Sequence, residues 1–495
     1  MKAKPNRGKY TEVNMNKIPY LIPEKDLHAI EIQVLRDLKL DRLLSDKSIF
    51  VLTDPCEKED ILRRQELFRI LEEPEKYERI NAVLDTLKVY ERTLAHKRSS
   101  SVPLEKFVLQ HTTYSMYAQI CRTLATLSDC GAMFADVAAY YSTEESNAVL
   151  TEIEEDMAKV GAYLDDITNG QLTFTDKCWV TPKNGVTDEY DKIADAIRAV
   201  GLTPSDKRKC GTPIDQTLSD AICMLHDDKC REVQSLLEKY DSLKAQELLP
   251  FMNGIDFFME ITALVRRAAE ANIPHAYATV SDVPCCKIDS MYDVSLFAKE
   301  KNDIVPNDAE FTQEEPFCFL TGANGGGKTT YLRSLGINIV LFLGGCPIFA
   351  NSASIYPFAR VATHFPADER FDSVGRLDEE MKRVEEIVKP LGDKPSFVLF
   401  NETFSGADEA AGFALLQNTC RKIDEAHHFG LFVTHFHAVM NEKYPILSAQ
   451  IDETDANRRT FKIRRTKGNA SSYALDILKK YNLDKESLRR REVLA

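Results

Sequence analysis

One stretch constrains this chain more than any other: Gly322-Ala323-Asn324-Gly325-Gly326-Gly327-Lys328-Thr329-Thr330. It fits G-x-x-x-x-G-K-[ST], a glycine-rich bend that turns backbone N–H groups inward onto phosphate oxygens. An apolar run at 317–320 leads into it, and 331–343 reads as the helix leaving it. That is the strand–loop–helix setting the pattern requires, and the helix N-terminus adds a field that favours negative charge. All nine residues are therefore candidates for holding the phosphates of ATP. Lys328 is expected to reach the β- and γ-phosphates, and the Thr329 hydroxyl to sit on Mg2+.

With 495 residues the chain has room for roughly two to four domains. Its 44% hydrophobic and 28% charged residues are ordinary for a soluble protein. No stretch approaches the uninterrupted apolar length of a membrane span, so no membrane partner is expected. The basic start, MKAKPNRGKY, has no apolar region behind it, which argues against a secretory leader. The 12 cysteines show no C-x-x-C spacing, and Cys285 and Cys286 are neighbours. That fits reduced intracellular thiols, and a cytoplasmic location is expected. The net charge of −14 excludes a surface coated in basic nucleic-acid-binding residues, though not a local basic stripe.

Residues 25–275 read as overwhelmingly helical. Leu150, Ile153, Met157, Val160, Leu164 and Ile167 step by three and four, the seam of one helix laid on another. Tyr190, Ile193, Ile197 and Val200 repeat the pattern, as do Leu218, Ile222 and Leu225, then Leu236, Tyr240 and Leu243. Long packed helices follow, as a bundle or an extended lever. Residues 171–185, with Trp179, read as a hairpin or an ordered loop at a helical tip. From residue 277 short strands alternate with helices, at 317–320, 358–362, 397–400, 431–434 and 460–464. The fold class is thus an α-helical lever or core domain (1–275), an α/β P-loop NTPase domain of the ABC type (276–468), and a C-terminal helical segment (469–495).

The run Ser396-Phe397-Val398-Leu399-Phe400-Asn401-Glu402 is a buried strand ending in polar residues. It looks like the Walker B strand that stands beside such a bend. Glu402 would then polarise the attacking water. The residue before this glutamate is usually an aspartate that holds Mg2+ through water; here it is Asn401, a neutral acceptor. Mg2+ affinity is expected to be weaker and hydrolysis slow. In Thr434-His435-Phe436-His437, His435 is the candidate that hydrogen-bonds and senses a γ-phosphate. His435 and His437 lack a third ligand at a sensible spacing, so a metal site there is not expected. Lys328 and Glu402 stand too close in sequence to admit a large inserted helical domain. No LSGGQ-like stretch precedes Phe397, which disfavours a transporter subunit.

With these residues in hand, the chain resembles the MutS family of DNA mismatch-repair ATPases. Val305-Pro306-Asn307-Asp308, the bend itself, Gly345-Cys346-Pro347-Ile348-Phe349-Ala350, the Asn401-Glu402 strand and Thr434-His435-Phe436-His437 match its landmarks in order. Ser471-Ser472-Tyr473-Ala474-Leu475 resembles its dimerising C-terminal segment. Ile61-Leu62-Arg63-Arg64-Gln65 and Asp256-Phe257-Phe258 look like parts of its lever domain. The resemblance implies a homodimer joined through the ATPase domains, in which ATP and Mg2+ drive helical levers around DNA. The family's N-terminal mismatch reader, an aromatic wedge with a nearby glutamate, is not found, so a shortened form is expected. The 203–249 interval reads as purely helical, leaving little room for a DNA clamp. Ser373-Val374-Gly375-Arg376-Leu377 stands where the family has Ser-Thr-Phe. Arg376 would reach a partner's γ-phosphate, or pair at the rim with Glu379 or Glu380.

Two functions follow. The first is a MutS-type ATPase coupling ATP binding and hydrolysis to arm movement on mismatched or branched duplex DNA. The second is a nucleotide-gated dimeric scaffold with little hydrolysis and no DNA contact.

Overall fold

The computed structural model describes residues 29–99, 102–168, 170–173, 179–182, 216–241, 248–299, 304–366, 376–436, 438–439, 443–451 and 459–466. The chain forms two compact units, one spanning Pro74–Ile255 and the other joining Pro23–Glu73 to Asp256–Ala495. The expected domain line at 275/276 follows the change in texture. The compact units divide elsewhere: residues 29–73, which read as helical, group with the α/β part.

The helical unit contains α4 (Pro74–Ser99), α5 (Pro103–Ala125), α6 (Ala132–Tyr141), α7 (Glu144–Thr168), α8 (Gln216–Leu225) and α9 (Asp227–Glu238). All six residues of the expected seam on α7 are buried, from Leu150 to Ile167. A polar network reinforces this packing. Arg122 of α5 donates to Glu154, Asn147 and Thr151. Buried Asp156 accepts from Lys239 and from the Tyr240 hydroxyl. Two other stripes differ from expectation. Helix α9 ends at Glu238, so Tyr240 is buried in the turn beyond it. On α8, Ile222 packs against Leu104, Ile167 and Cys230, but Leu225 is exposed. The stripe at 190–200 and Leu243 lie outside the described residues. Of the two forms expected near 171–185, hairpin or ordered loop, the described residues give paired strands, β1 (Gly170–Thr173) antiparallel to β2 (Trp179–Pro182), with Thr173 opposite Trp179.

Helix α10 (Leu248–Glu270) runs from the first unit into the second. By length and composition it is apolar enough to cross a membrane, yet Asp256 and Glu260 interrupt it and 67% of its apolar window is buried inside the protein. Within the second unit, Phe257 and Phe258 close around Phe68 of α3 (Lys58–Leu71), with ring centroids 6.4 and 4.9 Å away. From the same helix Arg64 donates to Gly344 O at 2.9 Å and Gln65 to Ala278 O at 3.0 Å. The expected lever motif at 61–65 thus braces the α/β part. It is preceded by α1 (Ile32–Asp37) and α2 (Asp46–Leu52).

The α/β part holds two sheets. Four strands, β3 (Thr279–Val280), β4 (Cys286–Met291), β5 (Asn307–Phe311) and β7 (Ser352–Ile355), lie in the order β3-β7-β4-β5. Six others are β6 (Phe317–Thr321), β8 (Val361–His364), β9 (Phe397–Asn401), β10 (Phe429–Val433), β11 (Ile446–Ile451) and β12 (Arg459–Thr466), in the order β12-β11-β6-β10-β9-β8. All pairings are parallel except β11 with β12. Every residue of β8, β9 and β10 is buried, which explains their unbroken apolar character: a parallel sheet is covered on both faces. Helix α11 (Lys328–Leu343) lies between the sheets, touching β8, β9 and β10 on one side and β4 on the other. Two more helices, α12 (Arg376–Val388) and α13 (Glu409–Glu425), pack on the large sheet around Phe400, Phe404 and Phe432. The expected strand at 358–362 begins three residues later, because Phe358 packs its ring on Phe397 and Phe429 from the preceding loop. Strand β11 was not read from the sequence at all.

Candidate functional site

At the carboxyl edge of the large sheet, β6 ends at Thr321 and the glycine bend follows. Gly322, Gly325 and Gly327 have φ of 123°, 73° and 93°, a region that residues bearing a Cβ rarely enter. A Cβ on Gly326 would lie 2.9 Å from both Ala323 O and the Ala449 methyl of β11, whereas one on Gly325 would face open space. The bend is therefore closed on the sheet side and open outward. Lys328, the first residue of α11, is 5% exposed. Its ammonium donates to Gly322 O at 2.9 Å, Ala323 O at 3.4 Å and Asn324 Oδ1 at 3.2 Å. Burial lowers its pKa, and the charge of Glu402 works the other way. Loop oxygens thus hold a desolvated cation at the mouth of the bend, where phosphate oxygens would be stronger partners.

Strand order brings the remaining candidates to the same edge. β10 lies between β6 and β9, so the residues after β10 stand between the bend and the end of β9. The Thr434 N–H donates to Leu320 O at 3.0 Å, and the Glu402 N–H to Val433 O at 2.9 Å, stitching the three strand ends together. Nε2 of His435 lies 2.9 Å from Oε1 of Glu402. This bond, against burial, holds the Glu402 carboxyl below its ordinary range, with Lys328 adding to the effect. Across the gap the Thr329 hydroxyl donates to Asn401 Oδ1 at 3.3 Å.

The donor set bears on which ion this edge fits. Thr329 and Asn401 offer two neutral hard oxygens. That is too few to hold a divalent ion alone, but it suits a water-clad Mg2+ that takes its other ligands from phosphate. Among the described residues no group of three or more His, Cys, Asp or Glu side chains is arranged to hold a metal.

A family model described as MutS domain V matches residues 318–492, which include the bend, Asn401, Glu402 and His435. The DNA mismatch repair protein MSH6 of Saccharomyces cerevisiae is 21% identical over 61% of this chain and 25% of its own length. Endonuclease MutS2 of a Geobacillus species is 25% identical over 71% of this chain and 46% of its own. Residues 318–492 are thus similar to the MutS family. The DNA mismatch repair protein MutS of Natronomonas pharaonis is 30% identical over 36% of this chain and 22% of its own length. The chain therefore spans between about a quarter and a half of the length of these MutS relatives.

Other landmarks of the MutS resemblance take definite places. Asn307 receives the Ile463 N–H at 2.7 Å and donates to Phe461 O at 3.0 Å, tying β5 to β12. Gly345 has φ of 73°, and a Cβ there would lie 2.7 Å from that of Arg64. Ser373-Val374-Gly375, His437 and residues 471–475 lie outside the described residues. Arg376 opens α12. Glu380 is not the rim group expected: it is 7% exposed, and its Oε2 accepts the Phe404 N–H at 3.0 Å. Reading the sequence also missed His364, whose Nδ1 lies 2.9 Å from Thr403 Oγ1. Its only sequence signal was its place at the end of an apolar strand.

Proposed function

We propose that this chain is a MutS-type, Mg2+-dependent ATPase that couples ATP binding and hydrolysis to movement of its helical unit on mismatched or branched DNA. The observation that carries the reading is the convergence of Lys328, Thr329, Asn401, Glu402 and His435 on one sheet edge, linked by the Thr329–Asn401 and Glu402–His435 bonds.

In this reading the residues 322–330 wrap the phosphates with backbone N–H groups. Lys328 exchanges its loop carbonyls for β- and γ-phosphate oxygens. Thr329 and Asn401 would hold Mg2+. When bound, the ion neutralises the charge that gathers on the transferred phosphoryl group. Glu402, kept ionised by His435, orients the attacking water and accepts its proton. His435, bonded to Glu402, would register a γ-phosphate. Positioning and charge supply most of the catalysis, because phosphoryl transfer asks little covalent chemistry of the protein. Homodimerisation through the ATPase domains, an intracellular location and DNA as partner belong to the same proposal. Helix α10 supports the coupling, since it is one continuous helix shared by both units.

The test is direct nucleotide binding beside single-turnover hydrolysis. Glu402→Gln is expected to keep ATP affinity and lose about 10²–10³-fold in rate. Lys328→Ala is expected to lose binding itself. Indifference of the purified chain to adenine nucleotides would remove the reading, as would wild-type hydrolysis by Glu402→Gln.

Asn401 and the net charge of −14 favour one second reading, a nucleotide-gated dimeric scaffold with little turnover and no DNA contact. Salt-dependent retention of DNA separates the two.

A further inference from the structure

The backbone just past β9 is unusual. Glu402 and Phe404 both adopt left-handed conformations, with φ of 52° and 64°. Neither is a glycine, and Phe404 carries a large ring into the core, where it is 2% exposed. Such conformations persist only where surrounding bonds over-determine them.

Bonds from three separate elements hold this bend. The Glu402 N–H is taken by Val433 O of β10 at 2.9 Å. Thr403 Oγ1 lies 2.9 Å from Nδ1 of His364, the last residue of β8. The Phe404 N–H is taken by Glu380 Oε2 of α12 at 3.0 Å. Thr403, His364 and Glu380 are all buried. A carboxylate drawn into the interior to receive a backbone N–H, beside a buried histidine bonded to a hydroxyl, is a costly way to shape a turn. Apolar packing would shape an ordinary turn more cheaply. The outcome of this arrangement is the direction in which the Glu402 side chain leaves the sheet, toward His435 and the glycine bend.

We infer that Glu380 and His364 are positioning residues for Glu402: they clamp Phe404 and Thr403, and through that bend they aim the carboxylate. The inference rests on the ATPase reading and deepens it. It assigns to the buried Glu380 of α12 and to His364 at the end of β8 a share in setting the hydrolytic geometry. A carboxylate displaced by about 1 Å from its water is enough to cost up to about 10²-fold in rate, with binding untouched.

The experiment uses the full chain and four variants: Glu380→Ala, Glu380→Gln, Thr403→Val and Thr403→Ser. Three quantities are read: ATP affinity in the presence of Mg2+, the single-turnover hydrolysis rate, and amide hydrogen exchange across residues 402–405. Glu380→Ala is expected to lower the rate about 10- to 100-fold while affinity stays within about threefold, and to speed exchange at the Phe404 amide. Glu380→Gln keeps an acceptor oxygen for that amide and is expected to restore both rate and protection. Thr403→Val, which keeps the volume and loses the hydroxyl, is expected to repeat the loss, and Thr403→Ser to repair it. If Glu380→Ala does not fold, the Thr403 pair carries the test. Wild-type rates in both Glu380→Ala and Thr403→Val overturn the positioning role alone. So does a loss of rate matched by an equal loss of affinity, which marks general damage. A wild-type chain that neither binds nor hydrolyses ATP overturns the ATPase reading, and this inference with it.

Discussion

At Asn401 a neutral amide faces the Thr329 hydroxyl, at the position from which a carboxylate would attract a divalent ion by charge as well as by geometry. An amide oxygen still accepts from a metal-bound water, but it contributes only a dipole. The expected result is a protein that holds nucleotide well and Mg2+ loosely. Asn401→Asp should lower the Mg2+ concentration for half-maximal hydrolysis by about three- to tenfold. A Mg2+ titration of the two proteins checks this, and an unchanged midpoint would sink the idea. The neighbouring charges are balanced differently. Lys328 has lost most of its water and gained loop oxygens, while Glu402 keeps its charge through His435. Each of the two opposite charges favours the ionised form of the other.

At the scale of elements, the ends of β8, β9 and β10 work as one layer. Their apolar bodies are packed by aromatic pairs, such as Phe400 stacked on Phe432 with centroids 4.8 Å apart. Their polar ends then emerge together. His364 is the buried member of that layer. Desolvation, with Arg383 adding to it, pushes its pKa down to about 4. In the unfolded chain the ring titrates near 6.5, so between these values the unfolded state binds more protons and folding stability falls as pH falls. The full window from about pH 6.5 to about pH 4 is worth on the order of 3 kcal/mol, none of it lost above neutrality. Urea midpoints at pH 7 and pH 5 should drop more for the wild type than for His364→Asn. Equal drops would place the acid sensitivity elsewhere.

For the whole molecule the question is what the two units do for each other. One continuous helix, α10, belongs to both, and α3 supplies Arg64 and Gln65 as braces inside the α/β unit. If nucleotide drives movement of the helical unit, α10 is the segment of chain the two units share. If that unit acts on DNA, binding must come from a local basic surface, because the chain as a whole is acidic. Retention of mismatched or branched duplex should then fall by about 10³-fold or more between 50 and 200 mM salt, if six or more phosphates are neutralised. Homoduplex, mismatched and branched substrates, each with and without ATP, form the panel. Uniform weakness that ignores salt would support the scaffold instead.

Much of the chemistry was legible in the residues themselves. The glycine bend, the lysine, the strand ending in Asn401-Glu402 and the helical seam on α7 are local patterns, and local patterns follow from backbone sterics and burial period alone. The structure brings Lys328, Thr329, Asn401 and Glu402 to one edge. The rest depended on partners far away in the chain. Nothing near residue 380 reveals that Glu380 turns inward to the Phe404 amide, and nothing near 364 reveals that a histidine meets Thr403. The strand at 446–451 was invisible because its mixed polar sequence becomes a strand only when β6 and β12 lie on either side of it. The grouping of residues 29–73 with the α/β unit is likewise settled by where Phe68 finds Phe257 and Phe258. A residue's own periodicity tells which face it buries; only the packed fold tells what it is buried against.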